Sequence, residues 1–310
     1  MIDKNEAKNG FNSIGEIHNA LTNGEIRPEE AYQYIDEYNK DVPGSETDYH
    51  NLGVEFSRQN CEKFAAAVSL IGLETYPMSP DLLADAIKYS QEIGDVASCQ
   101  TVIEKLKNVD ASYWKWRTFV FVIDFLKDSL GYSKDMESFK DNLKLAEKFI
   151  EDFKRIIPHE ERAYVAEAEL YQNQNDYERA ITALRNGIET VRVAPQCCMK
   201  LADIYMELGK YDEVEKMARK GVLATIQDQP TVSIGYIYYL LAMSMDAQRI
   251  IRRDSEDEDR MTEEEIKSIV KAYVTADRLF VNEGREGVSY RRTIRAKRIM
   301  IEMEEGISVD

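Results

Sequence analysis

Along this chain, apolar residues recur at every third or fourth position in runs several helical turns long, broken by short polar stretches. Ile14, Ile17, His18 and Leu21 form one such stripe, Asn23-Gly24 stops it, and Pro28-Glu29-Glu30 opens the next, which turns Ala31, Tyr34, Ile35 and Tyr38 inward. The same spacing places Leu52, Gly53 and Phe56 on one helix and Ala65, Ala66, Leu70 and Gly72 on its partner. Leu83, Ala86 and Ile87 follow, then a turn at Gly94-Asp95, then Val96, Cys99, Ile103 and Leu106. Trp114, Trp116, Phe119, Val120 and Ile123 make an apolar helix, and Leu143, Ala146, Ile150 and Phe153 its partner. Ile234–Met245 reads as a buried helix, Glu264–Phe280 as an amphipathic one, and Tyr290–Glu304 as an end helix with one wet face. The pattern predicts an all-α chain.

Within it, one passage occurs twice. Tyr164, Ala168, Tyr171, Tyr177, Ala180 and Gly187 are matched by Cys198, Ala202, Tyr205, Tyr211, Val214 and Gly221, each 34 residues later. A self-similarity of this length marks a helix–turn–helix unit that stacks on its neighbours. Pro43 and Pro77 show the same 34-residue offset around a clearer third unit. The small residues Gly53, Ala168 and Ala202 allow two helices to approach closely, and Phe56, Tyr171 and Tyr205 stand three positions on, along the same face.

With Tyr164/Ala168/Tyr171/Ala180, Leu201-Ala202/Tyr205/Gly209/Tyr211, Leu52-Gly53/Phe56/Ala65/Pro77 and Trp116/Phe119/Val120/Ala146/Pro158, the chain resembles the tetratricopeptide-repeat (TPR) family over residues 11–283. The resemblance implies a TPR-like right-handed α-solenoid of antiparallel helix pairs, about six to seven units. Residues 1–12 are expected to be disordered or frayed, and 13–283 to form the array, with the best units at 46–79, 161–194 and 195–228. Insertions are expected near 131–142 and 252–263, and residues 284–310 as a C-terminal basic capping helix and tail.

The balance of charge, 40 Lys and Arg against 57 Asp and Glu, argues against nucleic acid, which demands clustered cations. Cys61, Cys99, Cys197 and Cys198 contain no CxxC pair, which points away from zinc and from a disulfide framework and towards a reducing, cytoplasmic setting. The N-terminus lacks the apolar core of a signal peptide, and the uncharged run Thr231–Met245 is too short to span a bilayer. His18, His50 and His159 have no partner at helical metal spacing, and no phosphate-binding loop or nucleophile elbow occurs. The acidic segment 254–265 lacks the glycine and ligand alternation of a calcium loop. Neither a metal, a cofactor, a small-molecule substrate nor catalysis is expected. The basic segment 285–298 suits either an acidic partner or neutralisation of that acidic insertion.

Function therefore follows from the resemblance, which implies a protein or peptide partner in a concave groove lined by the first helix of each unit. The register assigns Arg162, Val165, Glu169, Gln172 and Asn173 to that lining, then Gln196, Met199, Asp203, Met206 and Glu207, with His50, Val54, Arg58, Lys88 and Gln91 from earlier units. Met199 and Met206 are the most informative, because methionine suits adaptable partner surfaces. The Lys and Asn slots of chaperone-tail TPR clamps are filled by other residues, and an acidic groove favours a basic or apolar peptide. The expected function is a non-enzymatic interaction module or scaffold. The alternative is a peptide-sensing TPR regulator acting on a response protein, although residues 1–45 hold too few basic residues for a DNA-binding domain.

Overall fold

The computed structural model describes residues 11–39, 43–107, 109–131, 133, 135–227, 233–254, 260–282 and 284–307. The expectation for residues 1–12 thus falls, Phe11 and Asn12 apart, outside the described residues. Among the described residues there is helix and no strand. One compact unit, Met1–Ile157, holds α1 (Ile14–Thr22), α2 (Pro28–Asn39), α3 (Glu46–Arg58), α4 (Glu62–Thr75), α5 (Pro80–Glu92), α6 (Val96–Leu106), α7 (Trp116–Gly131) and α8 (Met136–Ile156). A second, Pro158–Asp310, holds α9 (Glu161–Gln172), α10 (Tyr177–Thr190), α11 (Pro195–Glu207), α12 (Tyr211–Gln227), α13 (Ile234–Asp254), α14 (Glu263–Leu279) and α15 (Gly284–Glu305). In the second unit each helix packs on the next in sequence; in the first, α1–α2, α3–α4–α5–α6 and α7–α8 do so, while α3 packs on α1 and α7 on α5, as in a helical solenoid.

The repeat is visible in the backbone as well as in the core. Left-handed residues close the α3–α4 and α5–α6 turns at Asn60 and Gly94, and the α9–α10 and α11–α12 turns at Asn175 and Gly209, with φ between 58° and 71°. In both pairs the two turns are 34 residues apart. Asn and Gly stand there because a β-carbon is strained in this conformation, and Asn tolerates it best among the other residues. Ser45 and Ser79, again 34 apart, cap α3 and α5, and Asp95 and Asp176 cap α6 and α10 by accepting backbone N–H groups.

Packing follows the predicted stripes with local corrections. Leu52, Phe56, Ala65, Leu83, Ala86, Ile87, Phe119, Ile123, Ala146, Ile150 and Phe153 are buried. Val96 is not: as the first residue of α6, directly after its cap, it projects into solvent at 63% exposure. Trp116 likewise opens α7 at its exposed end, while Trp114, in the turn before it, stacks on Phe149 at 5.0 Å and meets Phe119 edge-on. Across the stretch read as the first insertion the helices are long, α8 running 21 residues against 14 in α10.

Candidate partner-binding face

Arg162, Val165, Glu169 and Asn173 recur at three- and four-residue steps and so share one side of α9; Met199, Asp203 and Met206 do the same on α11. Close packing of α9 and α11 brings parts of these two rows together. Lys200 Nζ lies 3.0 Å from Glu169 Oε1, and Gln172 Nε2 donates to Glu207 Oε2 at 3.3 Å. At the start of the helices, the buried Glu161 carboxylate accepts the backbone N–H groups of Gln196 and Cys197 at 2.8 and 3.2 Å. Pro195 supplies no N–H at the first position of α11, so Glu161 from the neighbouring pair caps the two that follow.

The rows are not uniform. Val165, Glu169, Met199, Asp203 and Met206 are half-buried, whereas Asn173, the C-cap of α9, and Glu207, the last residue of α11, are exposed. Arg162 turns to Glu160 at 2.8 Å. Met199 also leans on the core formed by α12, α13, α14 and α15.

From α11 the face continues onto α13. Tyr236 O–H donates to Asp203 Oδ1 at 2.7 Å. Burial raises the Asp203 carboxyl above the usual carboxylate range despite that hydrogen bond, and burial, then the hydrogen bond to Asp203 and its charge, raise the Tyr236 phenol. Tyr239 follows one turn on, and both rings meet Tyr290 of α15 edge-on, at 5.5 and 5.4 Å. Tyr290 stacks in turn on Phe280 at 4.9 Å. Reading Ile234–Met245 as simply buried missed these half-exposed tyrosines. Their signal was the repeat itself, since Tyr239 stands 34 positions after Tyr205 and 68 after Tyr171.

In the first unit, His50 Nδ1 lies 2.6 Å from Asp85 Oδ2, joining α3 to α5. Val54 is half-buried, Arg58 is exposed beside Glu55, Lys88 lies over the Tyr89 ring, and Gln91 donates to Asp128 at 3.3 Å. All four cysteines are free thiols, with Cys197 and Cys198 buried, and burial pushes the Cys198 thiol up to about 11. Among the described residues, no three His, Cys, Asp or Glu are placed to hold a metal ion, and no helix is long and apolar enough to cross a membrane.

Comparison with known proteins bears on the fold. Residues 135–220, from the cap of α8 into α12, match the family model described as anaphase-promoting complex, cyclosome, subunit 3. The C-terminal part of a TPR repeat-containing protein from Cytophaga hutchinsonii superposes with a TM-score of 0.50 at 10% identity, covering 90% of this chain and 99% of its own. The chain has the fold of a tetratricopeptide-repeat array. A second TPR protein, from Parabacteroides merdae, aligns at a TM-score of 0.48 and 13% identity over 91% of this chain and 97% of its own. No curated protein sequence matches significantly. TPR arrays generally serve as non-catalytic scaffolds for protein partners, since stacking the helix pairs exposes an extended surface built from equivalent positions.

Proposed function

We propose that this chain is a non-enzymatic, cytoplasmic interaction module that binds a peptide or partner helix in a concave groove along α9, α11 and α13. The observation that carries the reading is one strip of half-buried apolar and aromatic side chains, Val165, Met199, Met206, Tyr236 and Tyr239, on three first helices in succession. Flanking polar groups on this strip already have partners in the chain: Glu169 faces Lys200, and Asp203 accepts from Tyr236. The partner therefore contributes apolar side chains to the strip, and its charges meet Glu207 and Asn173 at the exposed end. Four free cysteines support the reducing compartment.

Met206→Glu tests the groove, because Met206 is half-buried and lies outside the core that Met199 joins. Affinity purification from the native cell, with this variant as control, should lose the specifically bound protein while the thermal melt stays unchanged. Capture of the same proteins by both chains would remove the groove from the account.

A further inference from the structure

Two carboxylates on the α11 row have no cation of their own. Met199, Asp203, Met206 and Glu207 stand at i, i+4, i+7 and i+8, so they share one side of the helix, with Asp203 between the two methionines. Asp203 is bonded by the Tyr236 hydroxyl and Glu207 by the Gln172 amide, both neutral donors. Among the described residues, no lysine or arginine lies within ion-pair distance of either acid. The charge of Lys200 also reaches Asp203, but Lys200 is held 3.0 Å from Glu169, and that pair cancels. The row keeps two negative charges one helical turn apart.

Asp203 is moreover only half engaged. Its Oδ1 accepts the Tyr236 O–H at 2.7 Å, and among the described residues no donor reaches Oδ2. The side chain is half-buried, and burial, with the Glu207 charge adding to it, works against its ionisation. A cation brought to Oδ2 relieves both effects, whereas an apolar segment laid over this row would bury two uncompensated charges, and an acidic one would add to them. The surroundings suit the rest of a basic side chain. The methylene stem of a lysine or arginine can lie along Met199 and Met206 while its head reaches the acid between them. Tyr236 and Tyr239 continue the apolar ground onto α13. Asp203 and Glu207, four residues apart, match the spacing of basic residues at i and i+4 on a facing helix.

We propose that the groove along α9, α11 and α13 selects a basic partner helix, with one cationic side chain paired to Asp203 and a second, one turn on, paired to Glu207. This rests on the groove reading and adds the partner's charge to it.

Fluorescence anisotropy on the full chain, with two labelled synthetic helical peptides, tests it. Both peptides carry the same leucine stripe; beside it one has Lys and the other Gln at i and i+4. The wild type should bind the Lys peptide about tenfold more tightly than the Gln peptide. Asp203→Asn, which keeps an acceptor for Tyr236, should bring the two affinities within about twofold while the circular dichroism melt stays unchanged. Glu207→Gln, at an exposed position, should lower the preference in part, and it decides the matter alone if Asp203→Asn unfolds the chain. Glu189→Gln, exposed on α10, should leave the preference intact. Equal binding of both peptides, binding of neither, or a preference that survives in folded Asp203→Asn and in Glu207→Gln would overturn the proposal. The Gln peptide, which reads the apolar strip alone, separates the two readings. Equal binding of both peptides with the Gln peptide lost in Met206→Glu would sink the charge selection and keep the groove; a Gln peptide that binds Met206→Glu as well as wild type would remove the groove and this proposal with it.

Discussion

At the scale of single residues, Met199 and Met206 looked alike in the sequence and differ in the folded chain. Met206 lies on the half-buried strip outside the core, while Met199 also packs on the core around Ile237 and Tyr273. Placing a carboxylate at Met199 therefore desolvates a charge, and Met199→Glu should lower stability by roughly 1–3 kcal/mol in urea denaturation, where Met206→Glu does not. His50 offers a pH test. Its hydrogen bond to Asp85, reinforced by the Asp85 and Asp81 charges and opposed by burial and Arg117, raises its pKa. A folded value above the unfolded one means that the contribution of His50 is full below about pH 6.5 and is lost as the pH rises through the folded pKa. Asp85 is also raised, by burial first and against the pull of His50, so its contribution likewise declines with rising pH. The stability advantage of wild type over His50→Gln should be larger at about pH 5.5 than at about pH 8.5, measured by urea denaturation. An advantage that grew with pH would mean that the pair does not act this way.

Equivalent positions in successive elements need not be equivalent in packing. Gly187 in α10 and Gly221 in α12 occupy the same slot 34 residues apart. A β-carbon at Gly187 would meet Cys197 Sγ at 2.7 Å and Tyr164 Cβ at 2.8 Å, so the α9–α10–α11 contact needs glycine there. At Gly221 the nearest atom, Cys198 Cβ, is 3.4 Å away, an ordinary contact. Gly187→Ala should destabilise by about 1–3 kcal/mol through overpacking. Gly221→Ala should be neutral or stabilise by up to about 1 kcal/mol, because alanine favours helix. Thermal melts of both variants check the contrast, which the repeat pattern predicts as two equal losses.

At the scale of the second unit, stability depends on its terminal helix. Arg249, 4% exposed, is held by Asp246 on α13 and by Glu304 and Glu305 on α15, and Arg253 reaches Glu304 at 2.9 Å. Arg291 and Arg295 grip Asp277 at 2.9 and 3.2 Å and, against the effect of burial, hold its carboxyl below the usual range. These basic residues thus meet the C-terminal end of α14, about 21 Å along that helix from Glu263 and the acidic segment before it. Arg252 and Arg253 reach that segment instead, at Glu265, 3.7 Å away, and at Asp254, 3.2 Å away. Deleting residues 284–310 would strip a buried arginine of two carboxylates and uncover the Ile269–Tyr273 core. We expect a loss of more than about 3 kcal/mol and aggregation, read by denaturation and size exclusion. A truncated chain as soluble and stable as the full one would end the capping proposal.

Helical periodicity and the 34-residue spacing determined by themselves that this chain is a helical repeat, because each pair must present the same stripe and the same turn residue to its neighbours. That is why the turns at Asn175 and Gly209 and the core positions Ala168 and Ala202 were legible in advance. The face named from the sequence was legible as positions but not as chemistry. Only tertiary contacts decided that Glu169 pairs with Lys200, that Asp203 is bound by a tyrosine from the next pair, and that Met199 is partly core. Such contacts join residues about one repeat or more apart, and their geometry depends on how closely neighbouring helices approach, which a one-dimensional period does not encode.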